Sequence, residues 1–566
     1  MKPVANSPSL PSLRAAVIRA LLAGAGLGLC TLSAVRAQDI YDLRSAGPGG
    51  VSWVAAVQDQ SNLGDCWTFG TTTALDSNLI MNGYLPTSTV APAMALSSWH
   101  LSAYNGAKEN TLSDSENYNG IVGGDNWMTT SYYTRGQGAW PIPQAGTGPS
   151  DINTMGGGPI LNSSNALNPF PLAAVEAGQN LAASLPPVSQ TPGFTVTGAY
   201  YFDQPGTSRS DNAQVAAVKG ALQQYGALAT YMYAGGYTKN GHDDSVFHYD
   251  EALGYEYAYN PTNPVNVPSD HVVTIIGWDD NVVIPTATGT TVGGWIVQNS
   301  WGAWGGTLQR DDGTFYAPYT DPFIGKQGVT AFTAVPAGKY SPTVMQNELG
   351  PTYATGNWGT DGTRNPTGDI PTGMGIIDSS RSTMALSKLT STGDGTLLAL
   401  GLTSLDAQVG DSKLVTVTIY DGINIINGVA TPGTELETQT FTFIQEGYTL
   451  FDLSTPISLT DGQMLAIMVN YNGSAIPYVW QAAALDGVNA PTDLTYFYDQ
   501  GTSLWQDFGT FTGTSGVNDS YDGIFSVKGV LAVPEPATCA LLIAALGGVL
   551  VARRRRQSAA RAEVLC

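Results

Sequence analysis

From about Lys339 to Val530 the chain alternates polar and apolar side chains in short runs, and this period of two restricts its fold more than any other feature. Leu414-Val415-Thr416-Val417-Thr418-Ile419-Tyr420 and Thr440-Phe441-Thr442-Phe443-Ile444 are such runs. Successive strand residues point to opposite faces, so alternation describes a sheet with one face buried and one wet. Asp421-Gly422, Asp461-Gly462 and Asn472-Gly473 recur between the runs and accept the positive φ that tight turns require. An antiparallel β-sandwich over 339–530 follows. No paired carboxylates and no Cys/His sets occur there, so it is not expected to hold an active site. The whole chain has 566 residues, of which 43% are hydrophobic, enough for two or three domains with sizeable cores. Its 67 glycines and 33 prolines favour strands, turns and long loops over helix bundles. With a net charge of −22 and only 23 Lys+Arg, it has no basic patch to neutralise phosphates, which excludes nucleic acid as a partner.

Both ends read as processing signals. Arg14 and Arg19 precede an apolar run from Ala20 to Leu32, and Val35-Arg36-Ala37 places small residues at the cleavage positions. Residues 1–37 are therefore a secretory signal peptide with a long polar lead; the apolar run is short for a membrane anchor. At the other end, Val533-Pro534-Glu535-Pro536 is followed by apolar residues Ala537 to Ala552 and then by Arg553-Arg554-Arg555-Arg556. Arginines after an apolar segment hold that end on the cytoplasmic side. This three-part order over 533–566 resembles the PEP-CTERM sorting signal of Gram-negative bacteria. The resemblance implies transient membrane insertion of the apolar tail as a transmembrane helix. It also implies cleavage by an exosortase-type enzyme, and a cell-surface or extracellular location.

Of the four cysteines, Cys30, Cys539 and Cys566 lie in segments that export would remove, which leaves Cys66. A lone cysteine in an exported chain cannot form an internal disulfide. It follows Gln60-Ser61-Asn62-Leu63-Gly64-Asp65 and opens a segment in which Trp67, Leu75 and Leu79 fall at roughly helical spacing. A thiol at a helix N-terminus is favoured as the thiolate, the reactive form. Gln60 stands close enough to aim an amide N–H at a developing oxyanion. A thiol nucleophile needs a base, and the base needs an orienting group. Among the four histidines, His271 begins the apolar run Val272-Val273-Thr274-Ile275-Ile276, and a second apolar block ends in Asn299-Ser300-Trp301-Gly302. An amide at Asn299 can accept the second imidazole N–H, with Trp301 shielding that bond. His100, His242 and His248 show no metal-ligand spacing, and Asp243-Asp244 has no partner pattern; neither a metal nor another cofactor is expected.

These blocks, in this order, resemble the active-site blocks of the papain family of cysteine peptidases. The resemblance covers about Asp42 to Phe332 and implies an α+β fold, with a two-lobed catalytic domain over 38–335 ahead of the β-sandwich. It implies Cys66 as nucleophile, His271 as general base and acid, Asn299 as its orienting group, Gln60 in the oxyanion hole and Trp301 as cover. Gly123-Gly124 resembles the glycine pair that binds substrate backbone, and Val215 to Met232 the helix and strand that lead toward the histidine. The implied partner is a peptide or protein substrate.

Three departures matter. Leu63 stands where the family signature has a cysteine. Asp65 sets a carboxylate beside the thiol. Cys66 and His271 are about 205 residues apart, against about 130–150 in the cathepsin pattern, with the excess assigned to loops at Pro141–Pro192 and Gly235–Pro268. The catalytic domain is expected to begin at Tyr41-Asp42-Leu43-Arg44, which leaves no room for a propeptide of ordinary length.

A β-domain after such a catalytic domain resembles the lectin-like domain of some prokaryotic relatives. Tyr478, Trp480 and Trp505 are aromatics able to stack on extracellular polysaccharide, although core packing is the commoner use of such side chains. Two functions follow: a secreted thiol peptidase, or a surface adhesion or matrix protein whose papain-like domain has lost activity. Intact Gln60, Cys66, His271 and Asn299 favour the first, and Asp65 alone favours the second.

Overall fold

The computed structural model describes residues 39–58, 60, 65–86, 96–98, 100–101, 124–136, 138–139, 193–203, 211–234, 247–250, 255–258, 269–286, 289–302, 313–345, 374–377, 379–405, 412–482, 492–508 and 521–532. The first part of the chain holds β1 (Ile40–Asp42), α1 (Cys66–Met81), α2 (Asn126–Thr134), β2 (Phe194–Tyr201), α3 (Asp211–Tyr225), β3 (Leu228–Met232), β4 (Phe247–Asp250) and β5 (Tyr255–Ala258). It continues with β6 (His271–Thr286), β7 (Gly289–Gln298), β8 (Thr314–Pro318) and β9 (Thr330–Pro336). The second part holds β10 (Tyr340–Met345), β11 (Met374–Ile377), β12 (Met384–Thr390), β13 (Gly395–Ser404), β14 (Lys413–Ile426), β15 (Val429–Phe443) and β16 (Gly447–Leu459). It ends with β17 (Met464–Asn470), β18 (Ile476–Ala482), β19 (Thr495–Asp499), β20 (Leu504–Asp507), β21 (Tyr521–Phe525) and β22 (Val527–Ala532). The fold is mainly sheet.

Helix α1 is buried along its length, from Cys66 to Ile80, on every face. It therefore lacks the apolar stripe of a surface helix, and the sequence shows no clean 3.6 period. Several of its polar side chains donate locally or to neighbours. Thr71 Oγ1 donates to Trp67 O at 2.6 Å, Ser77 Oγ donates to Trp53 O at 2.6 Å, and Asn78 Nδ2 donates to Tyr225 O at 2.9 Å. Such bonds let a threonine-rich helix sit in a core at little cost. The first eight residues of β6, His271 to Trp278, are all buried. Both faces of that strand are covered, which is why it reads as a continuous apolar run and not as an alternation.

One thirteen-stranded sheet runs through both parts in the order β10-β22-β13-β16-β2-β9-β3-β6-β7-β8-β5-β4, with β1 added on β6. The junction is the antiparallel pair of β16 with β2, in which Gly447 faces Tyr200, Tyr448 faces Ala199 and Thr449 faces Gly198. Gly447 has φ +127°, and a Cβ there would lie 2.0 Å from Ala199 O; only glycine fits. The Gln445 side chain donates to Tyr201 O, and Lys528 Nζ donates to Thr134 Oγ1 at 2.6 Å across the same seam. A six-stranded sheet, β15-β14-β17-β12-β19-β20, covers the far end of the large sheet. Val415, Val417 and Ile467 of one meet Leu397, Leu400 and Val527 of the other in a shared core, the packing of a sandwich.

Several sequence expectations change here. Main-chain hydrogen bonds cross between the two parts, a junction that the sequence does not announce. Asp421-Gly422 is no hairpin turn. It lies inside β14, two residues past a register shift, with Gly422 at φ +82°, and the reversal comes instead at Asn427-Gly428. Asn472-Gly473 takes the expected positive φ values. The stretch Gly235–Pro268 is not all loop, since β4 and β5 form within it. Strand β22 runs to Ala532, with Leu531 facing Leu397, two residues past the expected end of the sandwich. Trp505 is buried against Tyr498 and is not a surface aromatic. The side chains of Tyr478 and Trp480, the tails 1–37 and 533–566, and Pro141–Pro192 lie outside the described residues. No helix among the described residues is long and apolar enough to cross a membrane.

Candidate active site

Cys66 is the first residue of α1, and Asp65 is its N-cap without a capping hydrogen bond from its side chain. The backbone N–H groups of Val272 and Trp67 lie near enough to the Cys66 sulfur to favour its thiolate. Val272 follows His271 directly, so this contact brings the thiol to the start of β6. The close approach depends on Gly70. A Cβ at that position would come within 2.9 Å of Val272 Cγ1, and Gly70 O accepts from Thr274 Oγ1 at 3.1 Å. Glycine in a helix interior disfavours the helix; here it lets α1 lie flat on the strand that carries the histidine.

His271 Nε2 donates to Asn299 Oδ1 at 2.8 Å. The same oxygen accepts the Ser300 backbone N–H at 2.8 Å. Because a backbone N–H can meet only the oxygen of the amide, the Asn299 orientation is fixed. Nε2 then carries the proton, and Nδ1 is left as the basic nitrogen. The Trp301 ring stacks on His271 with centroids 4.7 Å apart and planes at 24°. Both rings are buried, so the His–Asn bond is sheltered from water.

Gln60 is fully buried. Its N–H donates to Ser300 O at 2.7 Å, and its Oε1 accepts from Ser300 Oγ at 2.5 Å. With Oε1 so occupied, the donating end of the amide is Nε2, the end an oxyanion requires. The Cys66 N–H, one of the helix-start donors without an intrahelical partner, is the natural second donor.

Burial pushes the Cys66 thiol up to about 12, the Asp65 and Asp270 carboxylates push it the same way, and the Val272 and Trp67 N–H groups oppose them. Burial lowers the His271 pKa, against the Asn299 hydrogen bond and the Asp270 charge. Each group taken alone is therefore driven toward its neutral form. Asp65 acts on the thiol in the expected direction, but desolvation is the larger cause.

The structure thus brings Cys66, His271, Asn299, Gln60 and Trp301 to one place. Gly124 packs on the Trp67 ring, where a Cβ would come within 2.4 Å; Gly123 lies outside the described residues. His100 is a buried core histidine, its Nδ1 2.5 Å from Tyr132 Oη. His242 and the His248 side chain lie outside the described residues. No group of three or more His, Cys, Asp or Glu able to hold a metal occurs among the described residues. Sequence reasoning missed Ser300 and Gly70. Ser300 sits within the quoted Asn-Ser-Trp-Gly block, and Gly70 is a lone glycine four residues into a helix; either anomaly was a usable signal.

Comparison with known proteins agrees with this geometry at the level of fold. The family model of the PEP-CTERM protein-sorting motif matches residues 532–556, a motif that marks export and sorting to the cell surface in Gram-negative bacteria. No curated protein matches the chain. Among solved structures, the cysteine protease and lectin-like domains of Cwp84, a surface layer associated protein of Clostridium difficile, align at a TM-score of 0.57 and 18% identity, covering 88% of this chain and 89% of that one. The clostridial cysteine protease Cwp84 after propeptide cleavage aligns at a TM-score of 0.56 and 18% identity, covering 85% of this chain and 97% of that one. At this identity the likeness is one of fold: the chain is similar in architecture to a cysteine protease joined to a lectin-like domain, and it ends in a sorting motif.

Proposed function

We propose that the chain is an exported papain-like cysteine peptidase that hydrolyses peptide bonds through a Cys66–His271–Asn299 site. The observation that carries the reading is the His271–Asn299 pair, its tautomer fixed by Ser300 N–H, beside a thiol at a helix start. His271 Nδ1 takes the Cys66 proton as the sulfur attacks the peptide carbonyl carbon. The C=O electrons move onto oxygen, which the Gln60 amide and the Cys66 N–H stabilise. The resulting imidazolium gives its proton to the leaving amine, and a thioester remains. Water then attacks the thioester with His271 as base, releasing the acid and restoring the thiol. Burial opposes each charge alone, but proton transfer from sulfur to Nδ1 creates both at once, each beside its counterion. Trp301 and the apolar wall keep that pair dry.

Substrate backbone is assigned to Gly123 and Gly124. The catalytic part is assigned to 38–335 and a lectin-like part to the strands from 339 on, with an extracellular polysaccharide as its ligand class. The tail is the substrate of an exosortase-type enzyme that leaves the protein at the cell surface or outside it. A second reading, a surface adhesion protein with an impaired site, rests on the raised thiol pKa and on Asp65. Labelling of the full chain with a thiol-directed epoxide separates the two. Stoichiometric labelling at Cys66, with loss of hydrolysis of a fluorogenic peptide, supports the peptidase. An unlabelled Cys66 in folded protein sinks it.

A further inference from the structure

We infer that Gln298 is a positioning residue of this site: its buried amide pins the irregular segment carrying Gln60 to the rigid sheet that ends immediately before Asn299. Residues 55–58 and 60 have no regular secondary structure, yet this segment must hold the Gln60 amide to a fraction of an ångström. Two main-chain bonds tie it to the loop after β7: Gln60 N–H to Ser300 O at 2.7 Å and Gly302 N–H to Gln58 O at 2.9 Å. Both partners lie in a loop, so these bonds alone join one irregular strip to another. Gln298 is different. It is the last residue of β7, and its backbone is paired on both sides, with Thr274 of β6 and Thr314 of β8. Its side chain is 4% exposed and donates from Nε2 to Ala55 O at 3.1 Å.

The far end of that strip is shaped by a second buried glutamine, Gln58, whose Nε2 donates to Ala56 O at 3.0 Å. Gln58, Thr73, Thr274, Gln298, Asn299 and Ser300, together with apolar Phe69, Val272 and Val273, line a small cavity behind the His271–Asn299 pair. The glutamines therefore occupy the space between helix, base strand and oxyanion segment. An apolar side chain at 298 fills the same volume but leaves Ala55 O without its buried donor, and the segment is then held only through the loop. The expected consequence is a displaced Gln60 Nε2 with the nucleophile and base unmoved.

The inference rests on the peptidase reading for its kinetic arm and is independent of it in its structural arm. Full-length Gln298→Leu and Gln298→Met, both near in volume to glutamine, are compared with wild type. In the structural arm, amide hydrogen exchange of peptides covering 55–60 is expected to accelerate about tenfold or more, as for loss of a local restraint, while exchange in α1 and β6 stays as in wild type. Unchanged exchange at 55–60 in the folded variants overturns the inference, whatever the activity. In the kinetic arm, kcat is expected to fall about tenfold with KM within about twofold, since an oxyanion donor acts mainly on the transition state. In a Gln60→Ala background the same substitution should change kcat by less than about twofold, because it acts through Gln60. An equal loss in both backgrounds means a general structural role and overturns the inference. If wild type itself hydrolyses no peptide, the peptidase reading fails and the exchange result alone decides the clamp.

Discussion

The two parts of this molecule are built on opposite principles. In the second part, strands pair by matched alternation at every separation: β14 with β15 through a two-residue turn, but β12 with β17 and β10 with β22 across long stretches of chain. In the first part, the decisive contacts are distant. Cys66 meets Val272, Gln60 meets Ser300 across 240 residues, and Asn78 meets Tyr225 across 147. Strand pairing tolerates exposed polar faces and needs only the right alternation. The site needs a helix buried on all sides, a glycine at one contact, and buried amides and hydroxyls aimed at specific partners. Yet the two parts share one sheet, joined where β16 pairs with β2.

The largest effect expected is on chemistry alone. Cys66→Ala should lower peptide hydrolysis by about 1,000-fold or more and leave thermal unfolding within about 2 °C of wild type. Hydrolysis at the wild-type rate would remove the site from this region. Asn299→Ala should cost about a hundredfold in kcat, as for removal of a group that orients a general base, with the protein still folded. A loss as large as that of Cys66→Ala would mean that Asn299 does more than orient His271.

The seam is tested next. Gly447→Val places a Cβ against Ala199 O at a positive φ, and should destabilise by about 3 kcal/mol or more. If the shared sheet makes one cooperative unit, calorimetry shows a single transition moved to lower temperature and hydrolysis lost together with it. Two transitions, with that of the first part unmoved, would show that the seam is only contact. A smaller effect is expected at Asp65. Its carboxylate raises the Cys66 pKa, so Asp65→Ser should move the pH midpoint of iodoacetamide alkylation downward, with faster alkylation on the acid side of the wild-type midpoint. An unmoved midpoint would leave burial as the whole cause. The smallest effect is expected beyond the folded part. Truncation after Ala532, where β22 ends, should leave activity and solubility as in wild type; truncation after Val530 removes the buried Leu531 and should lower the melting temperature.

The sandwich was legible because its signal is local. Alternation and Asn-Gly turns can be read over a few residues, and Asn472-Gly473 behaves as read. Asp421-Gly422 misled because a β-bulge and a turn call for the same residue types. In the first part, Cys66, His271, Asn299 and Gln60 could be named from their local contexts, and the structure places them together. The sequence alone determined which side chains are available for the chemistry and that a sheet-rich fold would carry them. Only the tertiary structure decided which imidazole nitrogen is basic, that Ser300 serves both Asn299 and Gln60, that Gly70 admits α1 to the base strand, and that the two parts share one sheet. These are contacts between segments far apart in the chain, and no local period or propensity encodes the distance or direction of a partner that folding has yet to bring near.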